Sequence, residues 1–275
     1  MNENTRQQLK YLLRTREFFQ DIRIKSSNFL ELRKDGSKTD SFGTAKIYEE
    51  SIPRIVDIIN DCIDNENAIA KQIDEIVIND DMWKIFFKSI SGIGSIGAAY
   101  LLAYIDINKA STRARINQYC GLNPSLVRAK KYNQKTKTFT VTDVMIRGDK
   151  MTSGYMCPYN KYLKPKLYGI ICDGIIKHGT KTNKDTGEIK FTKYYNIYLN
   201  RKNRTRNSNK PISEGNDKLW CNESKAHIDM DARRIMLKEM LSDFYETYRK
   251  LEGLEVRVRY EEEYLGRKHH AWPKW

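Results

Sequence analysis

The sequence predicts a mainly α protein, with a helical N-terminal arm and a helix-hairpin-helix domain that carries a small β element. Three observations predict it. Apolar residues recur at helical spacing through several long stretches. Glycines cluster at the mouth of one apolar helix, at Gly92, Gly94 and Gly97. Strand-like alternation is confined to one short, polar segment. The division expected is an arm over 1–84 and a helix-hairpin-helix domain over 85–275.

The chain of 275 residues is long enough to bury a sizeable core. Its 49 Lys and Arg against 35 Asp and Glu give a net charge of +14, which favours a polyanion: DNA, RNA or an anionic membrane surface. No apolar run reaches the roughly eighteen residues of a membrane span, because Asp106 stops the longest. The N-terminus lacks the apolar core of a signal peptide. A cytoplasmic, nucleoid-associated protein is expected, with no membrane partner. The five cysteines are scattered, odd in number and without a CxxC pair, which argues against a disulfide framework or a zinc ribbon.

Residues 1–30 read as helix, with Leu9, Leu12, Leu13, Phe18 and Phe19 as its apolar turns. "RKDGSKTDSFGT" (33–44) reads as a loop. From Ala45 to about Val77 the spacing of Ile52, Ile55, Ile59, Cys62, Ile73 and Val77 predicts one long helix or a pair. After the glycine unit (82–122), the alternation around Thr138 to Val144 predicts a short strand or hairpin. Residues 151–179 turn apolar and predict a helix after Pro158, with Pro165 near its start or at a kink. "NKDTGEIK" reads as a turn, and Phe191, Tyr194, Tyr195, Tyr198 and Leu199 share one helical face. "NRKNRTRNSNKPISEGND" is polar and basic and reads as a loop or a disordered segment. A last helix is expected from about Asp229 to Leu251, stopped at Gly253.

The glycine unit admits two readings. With Met82 to Ile90 as a first helix, "SGIG" as hairpin and Ser95 to Tyr104 as a second helix, the amides opening the second helix face outward. That end carries partial positive charge and suits a phosphate oxygen, contacted at Gly92, Ile93 and Gly94 without reading sequence. Alternatively the glycines permit two packed helices to cross closely. Rossmann and Walker loops do not fit, since GxGxxG and GK[ST] are both absent. Around this unit, Lys88, Arg113 and Arg115 add positive charge. Further along, Lys130, Lys131, Arg147, Lys150 and Lys161 do the same, as do Arg201, Lys202, Arg204 and Arg206 in the basic stretch.

The run "ISGIGSIGAAYLLAYI", followed by "INQYCGLNP", resembles the C-terminal, serine-bearing domain of bridge-RNA-guided insertion-sequence transposases, whose N-terminal domain is a DEDD, RuvC-like nuclease. The matching residues are Gly92, Ile93, Gly94 and Ala98, then Gly121, Leu122 and Pro124; looser counterparts are Ser153 with Gly154, and Asn160, Leu163, Lys164 and Leu167. The βα units of the nuclease domain are not found before residue 85, so that domain is expected to be missing. An insertion separates GLNP from Ser153.

The resemblance implies DNA binding, and it opens two alternatives. In one, Ser153 is the nucleophile of a recombinase or transposase subunit, with Arg147, Lys150 and Lys161 stabilising charge and a partner supplying the nuclease domain. Ser153 reads equally well as a turn serine before Gly154. In the other, the protein binds a structured RNA. No cofactor is predicted; a divalent metal enters only with catalysis. "HIDMD" offers His227, Asp229 and Asp231 to a hard metal, but an acidic first helical turn explains the carboxylates without one. His269 and His270 read as part of a tail. Tyr132, Tyr155 and Tyr159, among basic residues, are candidates for contact with bases or sugars. A homodimer through the helical arm is also expected, matching two DNA half-sites.

Overall fold

A computed structural model describes residues 1–34, 52–182, 186–212, 217–263 and 266. The loop expected at 33–44 and the start of the helix expected from Ala45 lie almost wholly outside these residues, as do His269 and His270. The chain forms two compact units: Met1–Asp81 with Ala98–Tyr104, and Met82–Gly97 with Ile105–Trp275. The protein is mainly α, with two small two-stranded sheets among the described residues. No described helix is long and apolar enough to cross a membrane.

In the first unit two long helices, α1 (Glu3–Lys34) and α2 (Ile52–Ile78), pack side by side. Leu9, Leu13, Ile73 and Val77 are fully buried, as the helical spacing predicts. Glu66 is buried among cations: Arg23 Nε donates to its Oε1 at 2.6 Å, and Arg16 lies at 3.8 Å. Two arginines thus pair with a carboxylate that is almost wholly out of water. Residues 98–104 belong to α4 (Ser95–Tyr104), whose Ala98, Ala99, Leu101 and Leu102 are fully buried. The Tyr100 hydroxyl donates to Glu17.

The second unit is organised on α9 (Lys225–Leu251). Ser224 caps it, accepting from the His227 amide at 3.2 Å, so the helix begins earlier than the apolar stripe suggests. It ends as expected. Gly253 has φ +65, its amide reaches Lys250 O, and the Leu254 amide reaches Arg249 O, the paired bonds of a Schellman cap. Met236, Leu237, Met240, Leu241 and Phe244 form the buried stripe, and Phe244 meets Phe86 and Phe87 at ring-centroid distances of 6.0 and 5.8 Å. Arg249, nearly buried, donates to the carbonyls of Ile107 and Ala110 and fixes the loop before α5 (Arg113–Tyr119).

α8 (Lys193–Arg206) corrects the loop expected over "NRKNRTR". Helix persists there although the segment is polar. Tyr194, Ile197, Tyr198 and Thr205 are buried, while Arg201 and Lys202 form ion pairs at 2.6 Å with Asp231 and Asp229 of α9. One continuous helical segment runs over 163–177: α6 (Leu163–Lys166), a π turn (Leu167–Cys172) and α7 (Asp173–Lys177). Pro165 sits in its first turn, where a missing N–H is harmless. β3 (Thr180–Thr182) pairs with β4 (Ile189–Phe191), which takes in the last two residues of the "NKDTGEIK" stretch expected as a turn; its first three lie outside the described residues.

β1 (Leu126–Asn133) and β2 (Thr138–Arg147) pair antiparallel. The pairing runs from Leu126–Arg147 to Arg128–Met145, then resumes at Lys130–Val141 after a bulge in β2. Thr142 Oγ1 donates to Ala129 O at 3.1 Å across the bulge. Ala129 and Ile146, at the base, are buried; every residue from Lys130 to Val141 is exposed.

Candidate nucleic-acid interface

The glycine turn comes first. α3 (Asp81–Ile85) leads through a 3₁₀ turn, Phe87–Ser89, into Ile90 and then Gly92. Phe86, Phe87, Ile90 and Ile93 anchor the turn in the core, so Ile93 is a packing residue whose side chain offers nothing to a ligand. Gly92 has φ +92, and a Cβ there would lie 2.1 Å from the carbonyl oxygen of Gly174. The relation is reciprocal: a Cβ on Gly174 would lie 2.2 Å from Gly92 O. Gly92 therefore serves a close backbone crossing, the alternative reading of the glycine unit. Gly97 is packed as well, with a Cβ position 3.4 Å from Ile93 and 3.5 Å from Ile171. Gly94 differs. Nothing lies within 4 Å of its Cβ position, and it opens to solvent immediately before the first turn of α4, near exposed Lys88 in sequence.

The GLNP run is a helix stop. Thr112 caps α5 by accepting from Arg115 N at 3.2 Å. At the other end the Gly121 amide bonds Gln118 O and the Leu122 amide bonds Asn117 O, with Gly121 at φ +68, a second Schellman cap. Pro124 then prevents the helix from continuing. Gly121 also forms a floor: a Cβ there would sit 2.8 Å from both the Tyr159 ring and the Lys164 chain.

Several groups converge above that floor. Gln118 Nε2 donates to Gly148 O at 3.2 Å and Pro158 O at 3.3 Å, tying the end of β2 to the following loop. Asn160 accepts from the amides of Tyr162 and Leu163 at 3.0 and 2.9 Å and so opens α6; its Nδ2 reaches the Tyr119 hydroxyl at 2.6 Å. Lys164 Nζ donates to the Asp149 carbonyl at 2.5 Å and lies 4.4 Å from the Tyr159 ring centroid. Arg147 grips the Asp149 carboxylate with bonds of 2.9 and 2.8 Å. Burial opposes the charge on Asp149, but Arg147 and Lys164 outweigh it and hold the carboxyl below its ordinary value. Burial pulls the Lys164 ammonium down, partly offset by Asp149, and burial beside Cys157 pushes the Tyr159 phenol up.

The Ser153 loop docks on this ribbon base. The Met156 amide bonds Lys130 O at 2.8 Å, and the Lys131 ammonium lies 5.2 Å from the Tyr155 ring. Ser153 occupies a β-turn closed by the Tyr155 amide on Thr152 O, with Gly154 at φ +80. Its hydroxyl is exposed, and among the described residues no general base is hydrogen-bonded to it. Lys130, Lys131, Lys150 and Lys161 are all exposed.

The remaining expected cations separate into two groups. Arg115, Arg204 and Arg206 are exposed. Arg113 pairs with Glu246 at 3.1 Å and packs on Tyr245, while Arg201 and Lys202 serve the α8–α9 contact. Lys202 also donates to the Tyr198 hydroxyl, which itself donates to Asp229. Burial opposes the Asp229 charge, but hydrogen bonds from Lys202, Tyr198 and Arg233 overcome it and bring the carboxyl to about 2. Asp229 and Asp231 are thus ion-pair partners, and no group of potential metal ligands is found among the described residues.

Residues 86–141 match the Transposase IS116/IS110/IS902 family. The chain contains a transposase-related domain. The matched segment runs from Phe86 through the glycine turn, α4, α5 and the Gly121 cap to Val141 in β2. No curated protein matches the chain. Sequence reasoning missed the Arg147–Asp149–Lys164–Tyr159 cluster, because its members meet only when α5, the ribbon base and α6 are folded together. The Gly121 and Asn160 positions were the available signal, since a helix stop and a helix start placed side by side bring their flanking residues together.

Proposed function

We propose that this protein is a DNA-binding module related to insertion-sequence transposases and that it holds duplex DNA mainly by its phosphates. The observation that carries this reading is an open helix N-terminus at one end of the 163–177 helix and exposed lysines near the other. At one end, Gly92 crosses Gly174 and Gly94 leaves the first-turn amides of α4 open. At the other, exposed Lys130 lies where the Met156 amide docks, and exposed Lys150 and Lys161 follow Asp149 and Asn160 in the chain. Ten residues of helix, from Lys164 to Gly174, separate them by about 15 Å, a spacing of a few phosphates along a strand. Contacts of this kind position a duplex without specifying its sequence.

The test is a paired titration of duplex DNA and a structured RNA at matched salt. Tighter binding to the duplex, falling steeply as salt rises, supports the reading. A preference for RNA replaces DNA with RNA as the partner, and binding to neither removes the nucleic-acid reading.

A further inference from the structure

The proposed phosphate contacts take only Lys130 from the β1–β2 ribbon and leave the rest of it unused. The ribbon β1–β2 projects a segment, Lys130 to Val141, that is exposed on both faces. Within 126–147 six cations, Arg128, Lys130, Lys131, Lys135, Lys137 and Arg147, face one acid, Asp143. The face that carries Lys130 also carries Tyr132, Phe139 and Val141, since Tyr132 pairs with Phe139 and Lys130 with Val141. These three side chains are 49%, 57% and 56% exposed, and the two rings touch at a centroid distance of 5.0 Å. The tip is fixed: Asn133 Oδ1 accepts from the amides of Lys135 and Thr136, and Lys137 takes φ +52. A pre-shaped apolar strip bordered by cations is thus held away from the core.

We infer that this ribbon enters the major groove of B-form DNA, laying the Tyr132–Phe139–Val141 face against base edges while flanking cations meet the groove's phosphates. The inference rests on the DNA-binding reading and adds to it the element that reaches the bases. Dimensions and charge select the partner. A two-stranded ribbon fits a groove about 12 Å wide, and the projecting end of its first strand, Lys130 to Asn133, extends about 13 Å, enough to span it. The deep, narrow major groove of A-form RNA excludes such a ribbon. Apolar side chains in the B-DNA groove contact thymine methyl groups, and five cations outside the Arg147–Asp149 pair, against one acid, match the phosphate rims.

The experiment uses the full chain with a mixed-sequence duplex. Guanine N7 lies in the major groove and is methylated by dimethyl sulfate, so its protection reports groove occupancy directly. The wild-type protein is expected to protect guanines in the bound segment. Tyr132→Thr with Phe139→Thr keeps strand propensity at two exposed positions. It is expected to lose that protection and about tenfold in duplex affinity, with the slope against salt and the circular dichroism unchanged.

Duplex binding by the wild type without N7 protection overturns the inference and needs no variant to show it. A double variant that binds and protects like the wild type overturns it as well. In both cases the DNA-binding reading survives. Absence of any duplex binding at low salt overturns that reading and this one together.

Discussion

The crossing of Gly92 over Gly174 gives the sharpest test of the fold around the glycine turn. Gly92→Ala places a methyl group 2.1 Å from a backbone oxygen, whereas ordinary contact begins at 3.4 Å, so the two chains must part by about 1.3 Å. Neither side of the contact is a flexible side chain that can swing aside. Overpacking of this kind costs about 1–3 kcal/mol, and a non-glycine residue at φ +92 adds about 1–3 kcal/mol. The sum, about 2–6 kcal/mol, is a large part of the roughly 5–15 kcal/mol that holds a domain folded. In urea unfolding the midpoint of Gly92→Ala should fall by on the order of 1 M or more, with Gly174→Ala lowering it through the same contact. Gly94→Ala, with open space around it, should stay within about 0.5 kcal/mol of the parent. Gly94→Asp should fold like the parent but bind duplex DNA more weakly, because it sets a carboxylate at the proposed phosphate contact. A fully stable Gly92→Ala would refute the crossing, and unchanged DNA affinity in Gly94→Asp would refute the phosphate contact at this turn.

Three further outcomes are expected. Gly121→Ala, at φ +68 and 2.8 Å from Tyr159 and Lys164, should lower stability by about 1–3 kcal/mol and displace the Tyr159 ring, visible as a change in tyrosine fluorescence. Ser153→Ala should leave duplex affinity unchanged and yield no difference after detergent denaturation; a covalent DNA adduct that disappears in this variant would instead assign Ser153 a nucleophilic role. Asp229 is held at about 2 against an ordinary 3.8, so its ion pairs contribute stability above pH ~4 that is lost as pH falls towards ~2. Acid unfolding of Asp229→Asn should accordingly show a shallower pH dependence in that window, with the wild-type slope retained if Asp229 contributes nothing.

Much of the architecture is legible in the sequence because it depends on neighbours within a few residues. Leu9, Leu13, Ile73 and Val77 mark the buried faces of α1 and α2, and Gly253 marks the end of α9, since periodicity and caps are local signals. The roles of the glycines are not local. Nothing within "SGIGSIG" says that Gly92 meets Gly174, some eighty residues on, whereas Gly94 meets nothing. The last turns of α8 read as loop because Arg201, Lys202, Arg204 and Arg206 supply no apolar stripe; helix persists there through ion pairs to Asp229 and Asp231, which the sequence keeps apart. The ribbon is underestimated for a similar reason. Thr138 to Val144 alternates and marks β2, but Lys130 to Asn133 of β1 is exposed on both faces and carries no alternation that marks it as the partner strand.

The central claim, phosphate-dominated binding of duplex DNA, is tested most directly by anisotropy titrations across a salt series. The wild type is compared with a variant carrying Lys130→Gln, Lys150→Gln and Lys161→Gln, three exposed residues. The account predicts a straight line of log affinity against log salt whose slope becomes shallower by about one unit for each lysine removed. Affinity that ignores salt, or a slope that is the same in both proteins, would contradict it.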